Sequence, residues 1–118
     1  MSTRDTGTRG ESIATEYLRS IGYRIVAQNF RLGRHGEIDV IAYDGTTLVF
    51  IEIKYRRTRA YGSPEDSVTE AKRARIRRIA EGFLAIRPHD ASEYRYDVIA
   101  IEQTSQGQTI RHWKNAFW

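Results

Sequence analysis

Residues 36–56, GEIDVIAYDGTTLVFIEIKYR, decide the fold. On either side of Asp44-Gly45 the stretch reads as a strand, Glu37–Tyr43 and then Thr47–Tyr55, each rich in Ile, Val, Phe and Tyr. Asp-Gly is a strong hairpin signal because both residues tolerate positive φ. Four charges stand inside these apolar strands. With a period of two, Glu37 and Asp39 share one face of the first strand. Glu52 and Lys54 share one face of the second, and Phe50 precedes them on the same row. The hairpin therefore predicts Asp39, Glu52 and Lys54 side by side at one end of a sheet.

Two readings of that trio are open on the residues alone. Asp39 or Glu52 can form a cross-strand salt bridge with Lys54 on a solvated face, a common pairing of little energetic consequence. Alternatively, the trio is a site. Ile38, Val40, Ile41, Val49, Ile51 and Ile53 make both strands apolar enough to be central, where an unpaired charge is costly. Carboxylates from two strands are hard oxygen ligands suited to Mg²⁺ or Mn²⁺. Such an ion bridges a phosphodiester oxygen and a water and lowers the water's pKa. A neighbouring lysine can orient the water or stabilise the extra negative charge of the transition state.

Upstream of the hairpin, Ile13, Ala14, Tyr17, Leu18 and Ile21 follow helical spacing from Glu11, and Gly22 marks a C-cap. Residues 1–9 read as a flexible polar tail, Tyr23–Phe30 as a strand and Arg31–Gly36 as a basic, Gly-rich turn. Downstream, residues 56–65 form a basic loop. A second helix follows, capped by Asp66 or Ser67, with the stripe Val68, Ala71, Ile76, Ile79, Ala80, Phe83 and Leu84, and Pro88 stops it. Tyr94–Ile101 alternates like a strand, and Thr109–Trp113 adds a short edge strand. The order is α-β-β-β-α-β-(β), an α/β fold with a mixed central sheet flanked by helices and a single domain over residues 10–118.

Composition narrows the function. The chain has 118 residues, 40% hydrophobic and 29% charged, with no cysteine, which excludes disulfides, thiolate metal sites and cysteine nucleophiles. It has no apolar run near membrane-spanning length and no apolar signal core, so a cytoplasmic protein without a membrane partner is expected. No P-loop, dinucleotide fingerprint or Ser-His-Asp signature is present, and His35, His89 and His112 lack metal-ligand spacing. Nineteen Lys+Arg against fifteen Asp+Glu give +4, and residues 54–78 alone carry nine bases and three acids. That concentration is the footprint of a polyanion-binding face, with Arg34, Arg56, Arg57, Lys72 and Arg75 as backbone contacts. A solvated basic helix is the alternative.

The spacing D-x₁₂-E-x-K on a hairpin, after a helix with an early glutamate, resembles the PD-(D/E)XK nuclease superfamily. More narrowly, the chain resembles the YraN family, similar to archaeal Holliday-junction resolvases. The matching residues are Gly10-Glu11, Ala14, Tyr17-Leu18, Gly22-Tyr23, Asn29-Phe30-Arg31, Gly36-Glu37-Ile38-Asp39, Phe50-Ile51-Glu52-Ile53-Lys54-x-Arg56, Lys72 and Arg95-Tyr96-Asp97-Val98. The resemblance implies a restriction-endonuclease-like αβββαβ core and a Mg²⁺- or Mn²⁺-dependent nuclease acting on structured, branched or single-stranded DNA. By it Asp39 and Glu52 are metal ligands, the Ile53 carbonyl a third oxygen and Lys54 the catalytic lysine. Glu11 matches the helical glutamate that completes the acidic site. Read without the resemblance, Glu11 is equally an acid favoured at a helix N-terminus. Ile38 stands where the superfamily's name has proline. Cutting both strands of a duplex or junction needs two such sites, which points to a homodimer. A non-catalytic nucleic-acid-binding module that keeps the fold is the alternative function.

Overall fold

The structure, a computed structural model, describes the backbone of residues 3–56 and 69–117 and the side chains of residues 10–55 and 69–116. Its elements run α1 (Thr3–Ser20), β1 (Arg24–Arg31), β2 (Glu37–Asp44), β3 (Thr47–Arg56), α2 (Glu70–Ile86), β4 (Glu93–Thr104) and β5 (Gly107–Phe117). The expected hairpin forms as β2 and β3, and Gly45 turns it at φ +62. The strands lie in the order β1-β2-β3-β4-β5; β3 and β4 are parallel and the other neighbours antiparallel. Because β3 is central, both of its faces are buried. This explains its unbroken apolar run Leu48-Val49-Phe50-Ile51.

One helix covers each face, so the sheet carries two cores. Ala14 and Leu18 of α1 pack with Val40, Ala42, Val49, Ile51, Ile99 and Ile101. Ile76, Ile79, Ala80 and Phe83 of α2 pack on the opposite face with Ile41, Tyr43, Leu48 and Phe50. The approach of α1 is close: a Cβ at Gly10 would lie 2.9 Å from Tyr55 Cβ on β3. The expected C-cap holds. Gly22 sits at φ +92, the Tyr23 N–H donates to the Leu18 carbonyl at 2.9 Å and the Gly22 N–H to the Arg19 carbonyl at 3.1 Å, a Schellman closure.

Several boundaries differ from the sequence reading. The backbone of α1 reaches back to Thr3, so the segment 3–9 read as a tail is helical. The cap of α2 is Thr69, whose Oγ1 accepts the Lys72 N–H at 3.2 Å; Asp66, Ser67, Val68, Arg57 and most of the basic loop lie outside the described residues. At its other end α2 stops at Ile86, and Arg87, before Pro88, is extended as a residue preceding proline tends to be. The edge strand β5 is much longer than Thr109–Trp113, because backbone pairing with β4 continues through polar residues that show no alternation. Among the described residues no helix is long and apolar enough to cross a membrane.

Candidate active site

The site is a consequence of strand pairing. The β2–β3 ladder runs from Asp44↔Thr47 only as far as Val40↔Ile51. Beyond that point β2 stays with β1, through Phe30↔Ile38 and Arg31↔Glu37, while β3 stays with β4, through Glu52↔Val98, Ile53↔Ile99 and Lys54↔Ala100. The two strands part, and backbone groups facing the fork lose their ladder partners. Asp39 supplies one replacement: its Oδ2 accepts the Ile53 N–H at 2.8 Å. The position read from sequence as a ligand thus also closes the fork.

Glu52 and Lys54 project from β3 on the row begun by Phe50, as alternation predicts, and Lys54 Nζ lies 3.4 Å from Glu52 Oε1. A second ammonium joins them. Lys72, on the first turn of α2, brings Nζ to 2.8 Å from the same Glu52 oxygen. The side chains of Glu52, Lys72 and Lys54 are only 14%, 19% and 23% exposed, so this is a half-buried cluster rather than a solvated pair.

The electrostatics are uneven across the fork. Burial first, then the negative charge of Glu52, push the Asp39 carboxyl up to about 7; Glu11 and Glu37 add to this, and the Ile53 N–H partly opposes it. Burial and the adjacent Lys72 ammonium lower Lys54 below its ordinary lysine value, and Glu52 offsets only part of that. Burial is the largest single influence on the Lys72 ammonium and works against it, yet the hydrogen bonds to Glu52 and Lys54 and the charge of Glu52 together outweigh it and Lys72 is raised. Glu52 is therefore well compensated and Asp39 is not.

Glu11 lies near enough for its charge to act on Asp39, and it is held by the amide of Asn29, Nδ2 to Oε2 3.3 Å, from a residue at φ +52. Among the described residues, however, no three acidic or histidine side chains form a compact metal-holding set, so Glu11 is not gathered with Asp39 and Glu52 as a third ligand. Glu37 turns to Arg31 at 3.8 Å. Arg34 is exposed in the β1–β2 turn. Arg75 is also exposed and packs against that turn, its Cδ 3.6 Å from where a Gly36 Cβ would stand. Arg56 ends β3 with its side chain outside the described set.

Sequence reasoning placed Lys72 among the backbone contacts and missed its partnership with Glu52. The available signal was a lysine in the first turn of a helix, where the macrodipole disfavours a cation. A second polar cluster was also missed. Asp97, fully buried on β4, accepts from Arg95 Nε at 2.9 Å and from the Asn115 N–H at 3.0 Å, and pairs with His112 Nε2 at 2.7 Å. His112 Nδ1 in turn lies 3.0 Å from the Tyr17 hydroxyl, linking α1, β4 and β5. An aspartate before the apolar run Val98-Ile99-Ala100-Ile101 was the clue.

Fold and site together define a class: a mixed α/β protein, compatible with a restriction-endonuclease-like core, bearing a carboxylate–lysine cluster where its central hairpin forks. The chain belongs to the uncharacterised protein family UPF0102, the YraN family of the sequence reading, whose pattern matches residues 10–101. It is 45% identical over 116 residues to a UPF0102 protein of Symbiobacterium thermophilum, covering 98% of both chains. It is 42% identical over 123 residues to one from Chlorobium chlorochromatii, covering 99% of this chain and 94% of the other. A Geobacter sulfurreducens relative is 45% identical over 112 residues, covering 94% and 87%.

Proposed function

We propose that this protein is a metal-dependent deoxyribonuclease of the PD-(D/E)XK kind, hydrolysing phosphodiester bonds in structured or branched DNA. The observation that carries this reading is the convergence of Asp39, Glu52 and Lys54 at the fork of β2 and β3. The donor set suits Mg²⁺ or Mn²⁺: two carboxylates and the Ile53 carbonyl are hard oxygens, with further positions left to water. Burial and the neighbouring negative charge of Glu52 raise Asp39, and a cation would neutralise that charge. When bound, such an ion lowers the pKa of a water and offsets charge on a phosphoryl oxygen.

The chain's own residues do the rest. Asp39 is held rigidly by the Ile53 N–H, which fixes one carboxylate relative to β3. Lys54, anchored in the β3–β4 ladder, stabilises negative charge on the transferring phosphate or orients the attacking water. Glu11 acts on Asp39 through its field. Arg34 and Arg75, at the turn beside the fork, contact the sugar–phosphate backbone, and a homodimer supplies the two sites needed to cut both strands of a duplex.

The second reading, a non-catalytic nucleic-acid-binding module, is favoured by one observation: Glu52 is already neutralised by two lysines. Incubation with forked, flap, junction, single-stranded and duplex DNA in Mn²⁺, Mg²⁺ or EDTA separates the two. The nuclease predicts cleavage that needs the metal and is lost in Asp39→Asn and Lys54→Ala. Binding to every substrate with cleavage of none establishes the module instead.

A further inference from the structure

Lys72 is oddly placed for a helix of this kind. Thr69 caps α2, so Lys72 is its third residue, inside the turn where about half a positive charge is already concentrated. Its backbone is secured by the Thr69 hydroxyl, but its side chain is held by Glu52 against that field. Glu52 in turn carries two ammonium groups on one oxygen, Oε1, at 2.8 Å and 3.4 Å. Lys54 shares that oxygen from a strand, registered with Ala100 in the ladder, and so lacks the helix-terminal placement that disfavours Lys72. Lys72 reaches in from another element on a flexible four-carbon stem.

We propose that Lys72 is an exchangeable counter-ion of Glu52, competing with the divalent cation for that carboxylate and released by it towards a DNA phosphate. The inference rests on the metal-dependent reading of the site. A hard divalent ion approaches a carboxylate oxygen to roughly 2.0–2.1 Å. At that distance it repels an ammonium seated on the same oxygen, and the one already opposed by a helix N-terminus is Lys72. Without the ion, Lys72 keeps a half-buried glutamate neutralised and the fold intact. With the ion in place, the freed ammonium lies at the mouth of the site beside the exposed Arg75, where it adds a phosphate contact. Lys72 is thus a positioning residue that ties metal loading to DNA grip.

The test is Mn²⁺ titration of the full chain by calorimetry, without DNA, for wild type, Lys72→Met and Lys72→Arg. Competition predicts that Lys72→Met binds Mn²⁺ about tenfold more tightly, a coupling of ordinary size, while Lys72→Arg stays within about twofold of wild type. DNA binding provides the second readout: Lys72→Met weakens it several-fold more in Ca²⁺ than in EDTA. A measurement on the wild type alone guards against a variant that folds poorly. Titration with Mg²⁺ should shift the Lys72 Nζ resonance away from its ion-paired position. Mn²⁺ affinity unchanged or reduced in a folded Lys72→Met, or an Nζ resonance indifferent to bound Mg²⁺, overturns the proposal while sparing the metal site. Failure of every form to bind Mn²⁺ overturns both together.

Discussion

Asp39 shows how one side chain can serve the fold and load it at the same time. Its carboxylate replaces a missing ladder acceptor for the Ile53 N–H, yet burial first, then the field of Glu52 with Glu11 and Glu37, push it up to about 7. A carboxyl raised in the folded state adds stability that is complete below its ordinary pKa and is lost as pH rises through 7. In metal-free protein at pH 8, Asp39→Asn should therefore be more stable than wild type by about 1–3 kcal/mol. The asparagine oxygen can still accept the Ile53 N–H. By pH 4 the advantage should vanish. Urea denaturation in EDTA at both pH values measures the difference, and a gap that does not change with pH contradicts the account. Added Mn²⁺ should stabilise wild type at pH 8 and leave Asp39→Asn unmoved.

At the scale of elements, β4 and β5 are locked by a different carboxylate. Their register breaks between Tyr96↔Phe117 and Val98↔Trp113, and the bulge brings Asn115, at φ +55, over Asp97. Burial would raise Asp97, but His112, Arg95 and the Asn115 N–H together hold it below the ordinary carboxylate range. The sign is opposite to that of Asp39: the stability is present above the ordinary pKa and lost as pH falls through the lowered one. Asp97→Ala should cost about 3–5 kcal/mol at pH 7, since it strands the largely buried Arg95 guanidinium and leaves the His112 ring without its partner, and markedly less near pH 2. Thermal melts across that range check it; an equal loss at both ends would leave the carboxylate's charge no role.

Over the whole molecule, bases are concentrated between residues 54 and 78, nine against three acids, and among the described residues Lys54 and Lys72 of that stretch stand at the carboxylate fork. On α2, Lys72 faces the fork and Arg75 the β1–β2 turn. DNA affinity in EDTA should fall steeply with NaCl, with a log–log slope of about −3 to −5. The double variant Arg34→Gln/Arg75→Gln should make that slope shallower by about two. Fluorescence anisotropy over a salt series reads both, and an affinity indifferent to salt would remove the phosphate-gripping role of this face.

What the sequence determined by itself was local and periodic. Alternation placed Glu52 and Lys54 on one row, Asp44-Gly45 turned the hairpin and Gly22 ended α1, because pleat, turn and cap geometry depend on a few adjacent residues. The extent of β5 was not readable, since its polar residues pair through backbone that carries no side-chain pattern. Only the tertiary structure decided where β2 and β3 part, that Lys72 crosses from α2 to Glu52, and that Glu11 stays with Asn29. Those outcomes depend on how two helices and the three other strands crowd one hairpin. Contacts between elements far apart in the chain are set by packing, and no local spacing encodes them.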